Sequence, residues 1–215
     1  MSKEKSQQIK VNITAPNMQT AAIRIVGTSP YVQNKFSEKA RAILHGQHAA
    51  GSQNKKGAKK EPKDFQACFE AAQYRAVNGG WNGIPASCFR AASISACRLV
   101  GFKMTLAKLS VFVEADGYDA DGTPLVRFTK GKPRYHEGVV RNATGVIDLR
   151  ARPMWEPGWE AVVRIRYDGD QFSVQDVMNL LSRVGEQIGI GEGRHDSRES
   201  CGCGWGLFTL EQSKK

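Results

Sequence analysis

Apolar and polar positions alternate along this chain with two different periods. A period of two marks TAAIRIVG (20–27), with Ile23 and Ile25 on one face and Arg24 on the other. EAVVRIRY (160–167) repeats it, with Ala161, Val163, Ile165 and Tyr167 facing one way and Arg164 and Arg166 the other. Both predict half-buried strands. Further strands are expected at 9–14, 109–115, 123–129, 139–149 and 205–211, the second and third of these five joined as a hairpin through DGYDADG. A turn or bulge is expected at 142–145 within the fourth.

The helical period appears in four places. Ser37 caps SEKARAIL (37–44), and Asp64 caps a helix reaching about Val77 with Phe65, Cys68, Phe69, Ala72 and Ala76 on one stripe. IPASCFRAASISACRLVG (84–101) places Pro85 in a first turn and lines Phe89, Ala92, Ala96 and Leu99 on one face. Ser173 and Asp176 open a helix over 173–188 with the stripe Val174, Val177, Met178, Leu181, Val184 and Ile188. A run of strands with three helices before it and a strand–helix–strand unit closing it predicts an α+β fold, one domain over 1–215.

Between the first two helices, residues 45–63 lack any apolar period and carry Lys55, Lys56, Lys59, Lys60 and Lys63 against Glu61 alone. That composition predicts a flexible basic loop insertion. The whole chain of 215 residues has 31 Lys and Arg against 21 Asp and Glu, a net charge of +10. Such a balance points to a polyanionic partner, most often nucleic acid, held through phosphate contacts. No apolar run is long enough to span a membrane and no apolar core of a signal peptide follows the N-terminus, so no membrane partner is expected. Five cysteines without framework spacing suggest reduced thiols and a cytoplasmic setting.

The segment GIGEGRHDSRESCGCGWGLFTL (189–210) holds six glycines between Gly189 and Gly206. It follows a helix and precedes a strand, the reverse of a dinucleotide-binding turn, and no Gly-Lys-Ser/Thr follows it. Such a loop can cradle a phosphate with backbone N–H groups, close a metal site, or bend where side chains would clash. A metal would need Cys201, Cys203 and His195 with a fourth ligand such as Cys88 or Cys97; two ordinary thiols are the expectation, and no metal or other cofactor. His45 and His48 beside the basic loop leave metal-independent RNA cleavage as the alternative function.

Three stretches together resemble the RAMP superfamily, RNA-binding proteins of CRISPR effector complexes, and most closely the backbone subunit that polymerises along guide RNA. They are IPASCFRAA (84–92) with Ile84, Pro85, Ser87 and Arg90; the strand, turn at Pro157–Gly158, strand and helix from 144 to 188; and the glycine segment with Gly189, Gly191, Gly193 and Arg194 opening it and Gly204, Trp205, Gly206 and Phe208 closing it. The resemblance covers most of 20–211. It implies a modified ferredoxin-like (RRM-like) antiparallel sheet with helices on one face. It also implies single-stranded RNA or DNA as partner, RNA preferred, and side-by-side assembly with further copies or other effector subunits in a prokaryotic or phage-infected cell. Cleaving members use an aspartate in an N-terminal loop; residues 45–63 contain none, so no catalysis is carried over. The expected contacts are Ser87, Arg90, Arg164, Arg166, Gly191, Gly193, Arg194 and Arg198, with Lys55, Lys56, Lys59 and Lys60 on the arm. Trp81 and Trp205 could stack bases. A protein-interaction or virion-assembly component with this fold is a further alternative.

Overall fold

The computed structural model describes residues 13–36, 63–141, 147–196 and 202–211, with the single positions 42 and 46. In chain order the strands are β1 (Met18–Gly27), β2 (Tyr31–Val32), β3 (Gly83–Pro85), β4 (Val111–Val113), β5 (Gly117–Tyr118), β6 (Pro124–Lys130), β7 (Arg134–Arg141), β8 (Ile147–Trp155), β9 (Glu160–Asp168) and β10 (Phe208–Leu210). The helices are α1 (Phe65–Ala71) after β2, α2 (Ala86–Ala96) and α3 (Met104–Ser110) between β3 and β4, and α4 (Val174–Arg183) after β9. The architecture is mixed, with antiparallel sheets and four helices among the described residues, and is compatible with an α+β class.

The main sheet runs β10-β1-β9-β6-β3, with β4 also on β9 and β5 on β6. Alternation explains its two faces. Ile23, Ile25, Ala161, Val163, Ile165 and Tyr167 are all buried in one core. The same core takes Phe89, Ala92 and Ala96 from α2 and Val177, Leu180 and Leu181 from α4, so these helices lie against that face. Each large side chain buried there contributes roughly 1.5–3 kcal/mol. A second sheet, β2-β8-β7, meets the first through an aromatic junction: Phe128 stacks on Trp155 with ring centres 4.7 Å apart, and Tyr31 lies 5.7 Å from both Trp155 and Trp159.

The strands at 20–27, 123–129 and 160–167 lie where the alternation predicts them. Ser173 and Asp176 form a reciprocal capping box at α4. Other elements differ. The helix expected to reach Val77 stops at Ala71, because Arg75 pairs with Asn82 across a turn with Gly79 and Gly80 at positive φ and Ala76 pairs with Asp119. The helix expected from Ile84 begins at Ala86, since Gly83–Pro85 pairs with Leu125–Arg127, and Leu99 is exposed rather than in the core. The strand expected at 109–115 is the end of α3 followed by β4, which pairs with β9 instead of making a hairpin with 123–129. The 139–149 strand is two longer strands, β7 and β8, in a hairpin. Residues 13 and 14 are outside any strand; the rest of the 9–14 strand, the 142–145 turn, the 37–44 helix apart from Ala42, and the basic loop apart from Gly46 and Lys63 lie outside the described residues.

Past α4 the helix widens into a π turn, Val184–Ile188, where β10 crosses. A Cβ on Gly185 would fall inside contact distance of the Phe208 carbonyl oxygen, so only glycine admits the edge strand there. Gly185→Ala is expected to lower stability by roughly 2–3 kcal/mol, read as a fall in the urea midpoint. A second anchor sits across the turn before β6. Asp119, with its side chain buried, accepts from the N–H groups of Asp121 and Thr123 at 2.9 and 2.8 Å and faces Lys35 Nζ at 2.9 Å. Burial acts to raise its pKa, but the Lys35 ammonium and the two N–H donors outweigh this and hold it below the ordinary 3.8. Its stabilisation is therefore complete above the ordinary carboxylate range and is lost as pH falls through the lowered folded value. Asp119→Asn should make the acid limb of a urea-midpoint profile shallower than that of the native chain.

Candidate nucleic-acid interface

Because α2 and α4 cover one face of the main sheet, the alternate residues of each strand form its other, outer face. On β9 these are Val162, Arg164 and Arg166; their partners across β1 are Arg24, Ala22 and Thr20. The short side chains of Ala22 and Thr20 leave the two β9 arginines room to lie across the sheet. On the other edge of β9, Phe112 pairs with Arg166. Arg127 and Thr129 of β6, both exposed, continue the same face.

Two arginine–aromatic stacks stand on it. The Arg166 guanidinium lies over the Phe112 ring at 5.3 Å, and Arg90 reaches the same ring at 5.5 Å. Arg127 lies over the Trp81 ring at 5.7 Å. Neither Arg127 nor Arg166 forms an ion pair among the described residues. The other charges are paired: Arg164 with Asp116, Arg24 with Glu160 at 2.5 Å and Glu211 at 2.8 Å, and Lys130 with Glu160 at 3.2 Å. Hydrogen bonds from Arg24, then Lys130, hold the Glu160 carboxyl below its ordinary range.

The expected contact residues fall into two groups. Arg164 and Arg166 are on the outer face, and Arg90 joins them around Phe112, though its guanidinium also donates to the Val111 and Lys108 carbonyls at 3.2 and 2.5 Å. Arg90 therefore ties α2 to the end of α3. The second group is the glycine loop with the first turn of α2. Ser87 is exposed in that turn, which no side chain caps. Its neighbour Cys88 meets Gly191 N–H and Arg194; burial nevertheless pushes its thiol up to about 11. Arg198, Lys55, Lys56, Lys59 and Lys60, together with His45, His48 and Cys201, lie outside the described residues.

Of the three uses open to the loop, the geometry favours close packing. Gly189, Gly191, Gly193, Gly202, Gly204 and Gly206 all have positive φ, the conformation that glycine alone adopts at no steric cost. A Cβ at Gly191 would strike the Tyr31 ring and the Val32 carbonyl, at Gly193 the Trp205 indole, and at Gly206 the Ile190 backbone. Many loop N–H groups are already engaged: Ile190 on Gly206, Glu192 on Val32, His195 and Asp196 on Ile188, and Gly206 on Pro30. Arg194 turns inward to the Gly191 and Asp196 carbonyls at 2.9 and 3.1 Å. Trp205 packs over Gly193 and meets His136 edge-on at 5.7 Å.

Phe112, Arg127, Thr129 and Asp116 were not singled out from the sequence. The signal for Arg127 and Thr129 was present, since both alternate with Val126 and Phe128 in TPLVRFT. Among the described residues no group of three or more His, Cys, Asp and Glu side chains is placed to hold a metal, and no helix is long and apolar enough to cross a membrane. No protein-family model and no curated protein matches the chain.

Proposed function

We propose that this chain is a non-catalytic single-stranded nucleic-acid-binding protein, RNA preferred, whose strand crosses the outer face of the main sheet. The observation that carries the reading is the open antiparallel face with two arginine–aromatic stacks, Arg166 on Phe112 and Arg127 on Trp81. Unstacked bases lie against aromatic rings and guanidinium planes, and duplexes offer neither exposed base face. Thr20, Thr129 and the β9 arginines supply polar groups to sugar and phosphate along the same surface. The fold reading belongs with it: a modified ferredoxin-like, RRM-like domain, supported by the order β10-β1-β9 with β4 and β6 next, and by α2 and α4 on the opposite face. The net charge of +10 and the lysines of 45–63 would add a sequence-independent attraction, the arm reaching nucleic acid or a neighbouring copy. Ser87, the exposed residue in the first turn of α2, marks a second place where a phosphate would be favoured. Assembly side by side along one strand is part of the same proposal.

Fluorescence anisotropy of labelled single-stranded RNA, single-stranded DNA and duplex DNA at several salt concentrations tests it. Single strands, RNA foremost, should bind more tightly than duplex, with affinity falling linearly on a logarithmic salt scale. Alanine at Lys55, Lys56, Lys59 and Lys60 should reduce that slope by up to about 3, at about 0.7 per lost phosphate contact. Phe112→Ala should weaken binding by about 1–3 kcal/mol with little change in slope. Absence of binding to every single strand at low salt would overturn the reading.

A further inference from the structure

The outer face is not uniformly flat. Strand β6 meets β9 only at Phe128–Ala161 and Lys130–Glu160, with a register shift between, while β4 meets β9 at Ile165–Tyr167. The edge of β9 at Val162 and Val163 therefore faces a gap between two partner strands, beyond which the Arg164 carbonyl accepts from Glu114 N–H at 2.9 Å. A cleft of about 350 Å³ opens there, lined by Trp81, Asp116, Arg127, Thr129, Val162 and Arg164. That volume is at the lower end of the roughly 300–1,000 Å³ typical of small-molecule sites.

Its walls are fixed. The Trp81 indole rests against Gly83 and Gly117, where added Cβ atoms would lie 2.9 and 2.8 Å from its ring carbons. Arg127 stacks over that ring, so one side of the cleft is a flat, polarised plane. Opposite charge stands beside it. Asp116 Oδ1 accepts from the Arg164 guanidinium and Oδ2 accepts from Arg127 N–H at 2.7 Å. A carboxylate offers about four acceptor positions, so each oxygen keeps one for a further donor.

We infer that this cleft takes a single unstacked guanine base of the bound strand; the inference rests on the single-strand reading above. The base lies flat on the Arg127–Trp81 plane. Its adjacent N1–H and N2–H groups donate to the two Asp116 oxygens, and O6 accepts from the Arg164 guanidinium beside them. Thr129 can donate or accept at the edge. The other bases fit this pattern less well. Adenine and cytosine each put a ring-nitrogen acceptor against the carboxylate, and uracil offers one N–H flanked by two carbonyl acceptors. The ion pair Asp116–Arg164 thus presents an acceptor and a donor side by side, which is the order guanine needs.

The test compares short oligouridylates carrying one central guanosine, adenosine or cytidine with the all-uridine strand, by anisotropy with the full chain. The guanosine strand should bind on the order of ten- to a hundredfold more tightly than the others. Asp116→Asn should bring the guanosine-to-uridine affinity ratio close to one. Because Asp116 also holds Arg164 and the β6 backbone, Val162→Phe, which fills the cleft floor, provides a second variant with the same expected loss of ratio. Equal binding of all four strands by the native chain overturns the guanine pocket and leaves the single-strand reading standing. A ratio that survives both substitutions also overturns it, and failure of every strand to bind rejects both proposals.

Discussion

One-sided burial of β9 is the constraint on which the rest of the molecule depends. The strand is paired along both edges, to β1 on one side and to β4 and β6 on the other. Its odd-numbered residues Ala161, Val163, Ile165 and Tyr167 are all in the core under α2 and α4. A slip of one residue would bury Arg164 and Arg166 and expose that apolar set, so the register is held strongly. The same alternation that anchors the core therefore delivers arginines to the outer face. Stability and candidate interface come from one pattern, read on its two sides.

Glycine does the complementary work of letting backbones and rings approach. Gly185 admits β10 at the π turn, Gly27 admits the Trp159 indole beneath β1, and Gly83 and Gly117 admit Trp81. The glycine-rich loop is the densest instance. Its residues fold back on one another and on Tyr31, and many of its N–H groups are satisfied internally. Phosphate cradling by the whole loop would require those hydrogen bonds to break. The stacks on the sheet, where exposed Arg127 and Arg166 lie over half-buried rings, need no such rearrangement.

The sheet was legible in the sequence wherever burial was one-sided. β1, β6 and β9 alternate cleanly, and the capping box at Ser173 and Asp176 announced α4. Where a segment is buried on several sides the period vanishes: Gly83–Pro85 is fully buried against β6, and nothing in Ile84–Pro85 separates a short strand from the first turn of the helix that follows. Leu99 fitted the α2 stripe but falls in a tighter 3-10 turn, which rotates it out to solvent. For the site, Arg164 and Arg166 were readable from alternation alone. Trp81 was visible as a candidate stacking ring, but Phe112 and Asp116 were not, since their places beside Arg166 and Arg164 depend on β4 taking β9 rather than β6 as partner, a tertiary choice with no local signal. The glycines were visible as a requirement for unusual backbone, but not which atoms made the requirement.

The central claim is that a single strand lies on the outer face of the sheet. Photocrosslinking of single-stranded RNA containing 4-thiouridine to the native chain, followed by mass spectrometry of the adducts, tests it most directly. Adducts are expected on the peptides that carry Trp81, Phe112 and the β9 arginines, lost on competition with unlabelled strand. Adducts confined to the exposed surfaces of α2 and α4 or to the glycine loop, with the sheet peptides unmodified, would contradict it.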